Sequence, residues 1–166
     1  MSEPKSSSRG VVAHGVVAGD HWIRVEPDQI RATLGRLQAE GYSYYLFITC
    51  VDHLGTPLMQ RPPQRFEVVY QLRDMAQKRE IRVRVFLPED SPVVPSVQDI
   101  YPPANWDERE TWDLFGIQFE GHPNLTRILM PDDWIGYPLR RDFPVGGEPV
   151  DFSEDHETWQ TAPPLA

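Results

Sequence analysis

The hydrophobic pattern near the start of the chain predicts a strand followed by a helix. Residues 21–25 alternate well enough for a short strand. Pro27 suits the first turn of a helix, and three apolar residues then recur at helical spacing, namely Ile30, Leu34 and Leu37. We expect this amphipathic helix to lay its apolar side on a sheet.

The next part of the chain predicts three strands. Residues 44–51 (YYLFITCV) form a continuous apolar run, which is typical of a buried central strand. Residues 66–72 and 79–87 follow as two further strands. In the last strand the apolar residues face one way, while Arg82 and Arg84 face the other, as ordinary surface residues or as contacts for an acidic partner. We expect an antiparallel meander with one face solvated or covered by a partner.

Two helices are expected after this meander. Ser96 can cap a short helical turn that Pro102 and Pro103 stop. A second helix can begin at Trp106 and end at Gly116. The predicted fold is therefore α+β, a small mixed and mostly antiparallel sheet with helices packed on one face, followed by a long irregular C-terminal arm.

The second helix places carboxylates among large apolar groups. At helical spacing, Glu110 and Asp113 share a row with Trp106. A carboxylate taken out of water must find cations or hydrogen-bond donors, or else stay exposed. The candidate cations downstream are Arg127, Arg140 and Arg141. We expect these groups to form a network that holds a segment which glycines and prolines interrupt every few residues.

An ordered series of motifs runs through the same stretch. It consists of ERE at 108–110, D-x-F-G at 113–116, GHP at 121–123, RILMP at 127–131, D-W-x-G at 133–136 and PLRRDF at 138–143. The series closely resembles the signature of the C subunit, or 30 kDa subunit, family of respiratory complex I, the proton-translocating NADH:quinone oxidoreductase. Departures are mild, because Trp112 and Phe143 stand where Tyr is equally familiar and Arg141 where Lys is expected.

The resemblance implies a protein that carries no redox centre. In that family the enzyme passes electrons from NADH to a quinone and couples this transfer to proton translocation. The 30 kDa protein is implied to lie in the peripheral arm, on the cytoplasmic side of the cell membrane, beside the large D subunit and other neighbours of the quinone module. Its implied role is to support assembly of the quinone-reducing module.

Composition agrees with this picture. The formal net charge of −9 argues against binding to nucleic acid or anionic lipid. No apolar run approaches the roughly 20 residues that span a bilayer, so we expect the membrane to be reached only through partners. The single cysteine, Cys50, cannot hold an iron–sulfur cluster, which normally takes four cysteines. We expect no catalytic residue, metal or cofactor in this chain.

The expected organisation has three parts. They are a polar N-terminal extension over residues 1–20, an α+β core domain over residues 21–117, and an extended partner-binding arm with an acidic tail over residues 118–166. The tail carries carboxylates and no Lys or Arg after Gly146, so it is either solvated or a strap for a basic partner surface. The carboxylates are Glu148, Asp151, Glu154, Asp155 and Glu157.

The candidate site is a structural network or a partner interface. Its expected members are Glu108, Arg109, Glu110, Asp113, His122, Arg127, Trp134, Tyr137, Arg140, Arg141 and Asp142. We expect His122 to fix its turn by a hydrogen bond. The aromatic and arginine residues of the arm have the composition of interface hot spots, although they can equally close the chain's own core.

Other readings stay open. Related membrane-bound hydrogenases and photosynthetic complexes carry a similar protein, so the electron donor can differ from NADH. A freestanding acid–base enzyme would use Glu108, Glu110 and His122, but neighbouring helix positions diverge and the two glutamates do not point at one substrate. Asp52 and His53 could begin a metal site, yet nothing near them in the sequence completes it, and we expect a structural role.

Overall fold

The computed structural model describes residues 10–17, 20–60 and 62–144. Its helices and strands, in chain order, are β1 (Val11–Val17), β2 (Asp20–Val25), α1 (Ile30–Ala39), β3 (Tyr44–Asp52), β4 (Phe66–Asp74), β5 (Arg79–Leu87), β6 (Val93–Pro95), α2 (Ala104–Phe115) and β7 (Gln118–Glu120). Among these residues, no helix has the length and apolar character needed to cross a membrane.

The main sheet confirms the expected mixed, mostly antiparallel architecture. Its five strands lie in the order β1-β2-β5-β4-β3, and only the β2–β5 pair is parallel. The meander β3-β4-β5 is present as predicted. However, β3 is an edge strand, so the expectation of a buried central strand over 44–51 is wrong. Tyr44, Phe47 and Val51 remain 37–52% exposed, because that edge strand is covered on one face only.

Strand β1 is a second difference from the sequence prediction. Residues 11–17 fall within the stretch expected to be a polar extension, but they pair antiparallel with β2. Gly15 allows this pairing, since a Cβ atom at that position would lie 2.8 Å from the ring of Trp22. The expectation of disorder for residues 1–9 concerns residues outside those described.

Both helices pack on one face of the sheet, as predicted. On α1, Ile30, Leu34 and Leu37 are buried, and on α2 the first residue, Ala104, is fully buried in the same core. A short 3-10 turn at Pro27–Gln29 leads into α1. The alternate residues Ile81, Val83, Val85 and Leu87 of β5 face this core. The core therefore lies between one sheet face and the two helices.

The chain between β5 and the arm differs from expectation. The segment after Ser96 forms a turn rather than a helix, and α2 begins at Ala104, two residues before Trp106. Strands β6 and β7, which the sequence did not reveal, pair in parallel on either side of α2 in the chain. Helix α2 ends as predicted at Gly116, which takes the left-handed conformation with φ of 74°.

Candidate functional site

The first contact between arm and core is a clamp around Asp113, which we call the α2 clamp. Asp113 Oδ2 accepts hydrogen bonds from three successive backbone N–H groups, at 3.0, 2.8 and 2.9 Å from the nitrogens of Ile128, Leu129 and Met130. Arg127 Nη1 donates to Oδ1 at 2.5 Å. Burial acts to raise the pKa of Asp113, but these donors hold it below its ordinary value. The buried carboxylate is fully satisfied as an anion.

Arg127 extends this clamp along the arm. Its Nη2 atom donates to the carbonyl of Trp134 at 2.9 Å and to that of Gly136 at 3.3 Å. Its guanidinium also lies over the rings of Trp112 and Tyr137. One arginine therefore fixes three parts of an arm that has no regular secondary structure between β7 and residue 144, where the described chain ends.

Arg140 holds the arm against the end of α2. Its Nε atom donates to the carbonyl of Phe115 at 2.6 Å, and its guanidinium lies over Tyr137 and Phe66 at 4.5 and 5.0 Å. A helix leaves its last carbonyls unpaired, and a cation there is favourable. Arg140 thus satisfies a helix terminus instead of the helix carboxylate expected from the sequence.

A second clamp, the Asp52 clamp, holds the end of the arm. Arg65 binds Asp52 through two hydrogen bonds, at 3.0 and 2.8 Å, and both side chains are about 3% exposed or less. The same guanidinium reaches Asp142 at 2.7 Å and Glu89 at 2.6 Å. The backbone N–H of Arg141 donates to Asp52 at 2.9 Å. The arm is therefore tied to the start of β4 and the end of β3.

The electrostatics of this clamp favour the charged forms. Burial opposes ionisation of Asp52, but hydrogen bonds from Arg65, Arg141 and Leu54 lower its pKa to about 2. The Arg141 side chain donates to the carbonyl of Leu54 at 2.8 Å and so does not join the helix carboxylates as expected. Asp52 has the structural role that we expected for it. Arg65 was missed, because nothing local in the sequence links it to residues far along the chain.

Glu108 differs from Asp113, the other fully buried carboxylate of α2, since it binds no arginine among the described residues. It is fully buried, accepts from Ser96 Oγ at 2.6 Å and from the backbone N–H of Val97 at 2.7 Å, and lies 4.0 Å from His122 Nε2. Burial raises the pKa of Glu108 to about 7 against these two hydrogen bonds. Glu108 thus joins α2 to the turn that follows β6.

His122 fixes its turn as expected. Its Nδ1 atom accepts from the backbone N–H of Asn124 at 3.1 Å, which leaves Nε2 to donate to the carbonyl of Asn105 at 3.3 Å. Glu110 is exposed on α2 while Glu108 is buried, so the pair does not converge on one substrate. This geometry disfavours the freestanding acid–base enzyme.

The remaining predicted residues line the arm. Arg109 donates to Thr126 Oγ1 at 3.2 Å and to the carbonyl of Arg127 at 3.0 Å, while its guanidinium lies over Trp106. Trp134 stacks on Phe143 with the ring centroids 6.2 Å apart. These residues hold the arm to itself and to α2.

Three aliphatic side chains of the arm are exposed. Leu129, Ile135 and Leu139 are 56%, 90% and 52% exposed. Charged residues of the arm are exposed beside them, namely Asp132, Asp133, Arg141 and Asp142, so the exposed side of the arm carries aliphatic side chains between charged ones. Fold and clamps together define a small α+β domain with a clamped C-terminal arm.

Comparison with known proteins identifies the family. The model of the respiratory-chain NADH dehydrogenase 30 kDa subunit family matches residues 23–149. A relative from Herpetosiphon aurantiacus, named as the C subunit of NADH-quinone oxidoreductase, is 41% identical over 96% of this chain and 91% of its own length. A relative of the same name from Roseiflexus castenholzii is 43% identical over 89% and 83%. The chain belongs to the 30 kDa subunit family.

Other relatives are longer than the matched region. The relative of the same name from Salinispora tropica is 49% identical over 63% of this chain, and the match spans 41% of that relative. Among solved structures, a trypsin-resistant fragment of Nqo5 matches with a TM-score of 0.61 and 36% identity, over 64% of this chain and 83% of the fragment. A chain of the archaeal membrane-bound sulfane sulfur reductase matches with a TM-score of 0.63 and 27% identity, over 89% of both chains.

Proposed function

We propose that this chain is a non-redox member of the peripheral arm of NADH:quinone oxidoreductase. It supports assembly of the quinone-reducing module, in which electrons from NADH reach a quinone with coupled proton translocation. Its chief partner is the large D subunit, on the cytoplasmic side of the membrane. The family membership and the names of the two relatives that cover most of the chain support this proposal.

One observation carries the proposal, namely that Leu129, Ile135 and Leu139 are exposed on an arm that the two clamps hold. The clamps fix the backbone of residues 127–143, so this segment loses little further freedom when it meets a partner. Ile135 is 90% exposed, and water contact at such a side chain is unfavourable unless another surface covers it. A clamped arm with exposed aliphatic side chains is suited to protein contact.

The test uses the full chain in its own complex. The Ile135→Glu, Leu139→Glu double variant is introduced with an affinity tag, and the complex is isolated from gently solubilised membranes. We expect recovery of the other proteins of the complex with the variant to fall about tenfold or more, because two charges replace apolar groups at the contact. Met75→Glu is the control, since Met75 is 57% exposed in the turn after β4, at the other end of that strand from Arg65, which binds the arm. Wild-type recovery and NADH:quinone activity in the double variant would overturn the proposal.

A second candidate is the equivalent member of a complex with another electron donor. The similarity to a chain of the sulfane sulfur reductase supports this second candidate. That chain is 27% identical to this one, whereas the two relatives named for the NADH enzyme are 41% and 43% identical, so the first candidate has the stronger support. The same isolation separates the two candidates. Co-purification of a flavin-bearing protein that oxidises NADH supports the first candidate, and its absence supports the second.

A further inference from the structure

The second face of the main sheet, opposite the two helices, is the surface from which we draw a further inference. We call it the open face. It consists of the positions of β2, β5, β4 and β3 that the strand register places opposite the core, among them Trp22, Arg24, Glu67, Arg82, Arg84 and Phe86. The described helices α1 and α2 both contribute to the core on the other side. A shallow groove of about 380 Å³ crosses the open face between Trp22 and Val51.

The guanidinium groups of two arginines on the open face lie over aromatic rings. The guanidinium of Arg84 lies 5.2 Å from the ring centroid of Trp22 and 5.3 Å from that of Phe86. Arg24 lies 5.8 Å from the same Phe86 ring. Contact with the rings limits the freedom of these side chains, so less freedom is lost when an anion binds.

The carboxylates of the open face lie among its arginines. Glu67 is 4% exposed, and both Arg84 and His53 bind it, the latter at 2.8 Å. Arg82 donates to the neutral amide of Gln71 at 3.1 Å and lies 3.6 Å from Asp20 at the sheet edge, with 41% of its side chain exposed. Asp20 and Glu80, which pairs with Arg73, are 54% and 29% exposed. Four arginines of the face, Arg24, Arg73, Arg82 and Arg84, therefore stand against the three carboxylates of Glu67, Glu80 and Asp20. The face carries one net positive charge on a chain whose formal net charge is −9.

We propose that the open face docks an acidic surface of a neighbouring protein in the complex, with carboxylates placed over Arg82 and Arg24, since Arg84 already pairs with Glu67 through two hydrogen bonds. This proposal rests on the proposed function, because it names a second contact within the same complex. Charge complementarity carries it: exposed arginines and aromatic rings are the residues that dominate interface energetics, and a carboxylate fits the guanidinium fork. Phe47 and Val51, 40% and 37% exposed, supply the apolar part of the contact.

Charge reversal on matched arginines tests the docking. Arg82→Glu changes the open face, and Arg36→Glu makes the same change on α1, where 35% of the side chain is exposed. Each variant is placed in the intact complex, which is then washed with increasing NaCl. We expect the Arg82 variant to dissociate roughly tenfold more readily near 0.15 M salt, and the difference to vanish near 1 M, where the Debye length falls to about 3 Å. Equal behaviour of the two variants overturns the proposal.

Two further measurements distinguish loss of docking from damage to the sheet. Arg82→Lys keeps the charge and is expected to restore retention, whereas a variant that merely damaged the sheet would not be rescued by charge. A photo-reactive residue at position 47 should cross-link to an acidic segment of another protein of the complex. Cross-linking to this chain's own residues 145–166, or to nothing, overturns the proposal. If the Ile135, Leu139 double variant dissociates while Arg82→Glu behaves as Arg36→Glu, the docking inference fails and the proposed function stands.

Discussion

Arg127 Nη1 donates to Asp113 Oδ1 at 2.5 Å, while the other oxygen of the same carboxylate accepts three successive backbone N–H groups. Removing one partner of a buried ion pair costs about 3–5 kcal/mol, because the remaining charge stays unpaired. We therefore expect Asp113→Asn to lower the free energy of unfolding by about 3 kcal/mol and to expose residues 127–143 to proteases. Urea unfolding and limited proteolysis of the full chain measure the two effects.

Glu110→Gln is the control for this prediction. Glu110 lies on the same helix but is exposed, so its substitution should change the unfolding free energy by no more than about 0.5 kcal/mol. If both variants are equally stable, Asp113 does not hold the arm.

The left-handed glycine at the end of α2 gives a second prediction. A Cβ atom on Gly116, where φ is +74°, would lie 2.6 Å from the ring of Tyr137 and from Arg140 Nη2. Gly116→Ala should therefore lower the unfolding free energy by about 2–5 kcal/mol, through backbone strain of about 1–2 kcal/mol and a clash with the arm. Gly55→Ala separates the two terms, because Gly55 has the same φ and nothing within 4 Å. Equal losses in the two variants would show that the arm does not press on Gly116.

Glu108 predicts a dependence of stability on pH. Its pKa is about 7 in the folded protein and 4.5 as the ordinary value, so the folded state holds the proton more tightly. The associated stability is fully present below pH 4.5 and is lost as pH rises through about 7. Glu108→Gln cannot titrate, so its stability relative to wild type should improve by roughly 1–3 kcal/mol from about pH 4.5 to about pH 8.

Urea unfolding of both proteins across this pH range checks the Glu108 prediction. His122, Asp99, Arg31 and Tyr70 face Glu108 from the neighbouring elements and are present in both proteins. Because His122 lies 4.0 Å from Glu108, the same comparison is repeated in a His122→Gln background. Parallel curves for wild type and Glu108→Gln would contradict the raised pKa.

Cys50 gives a prediction about reactivity. Burial raises the pKa of this thiol from 9.0 to about 12, which lowers the thiolate fraction about a thousandfold. Alkylation by iodoacetamide should be correspondingly slow in the folded chain and fast in urea. Cys50→Ser should also leave every paramagnetic signal of the complex intact, and the loss of one signal would show that this thiol serves a cluster.

Local sequence was sufficient for the end of α2 and for the partner of Asp113. Gly116 ended the helix as predicted, and Asp113 found Arg127, only fourteen positions along the chain. Arg140 and Arg141 were assigned the wrong acceptors, because a sequence shows which cations are available but not which carbonyls a helix end leaves open. Arg65 had no local signal, since its partners Asp52 and Asp142 are brought together by folding.

The order and pairing of the strands could not be predicted from local sequence either. The apolar run of β3 predicted a strand correctly, but its place at the edge depends on the number and order of its neighbours. The pairing of β6 with β7 depends on α2 returning the chain to the same place, and three-residue strands carry almost no periodic signal.

By itself the sequence determined the fold class, the helix boundary at Gly116 and the family, because apolar periodicity and an ordered motif series are properties of neighbouring residues. Only the tertiary structure decided which carboxylates are paired, which strand lies at the edge, and that the arm leaves Leu129, Ile135 and Leu139 exposed while two buried carboxylates hold it. The physical reason is that burial and hydrogen-bond partners depend on distances between residues far apart in the chain, and folding alone sets those distances.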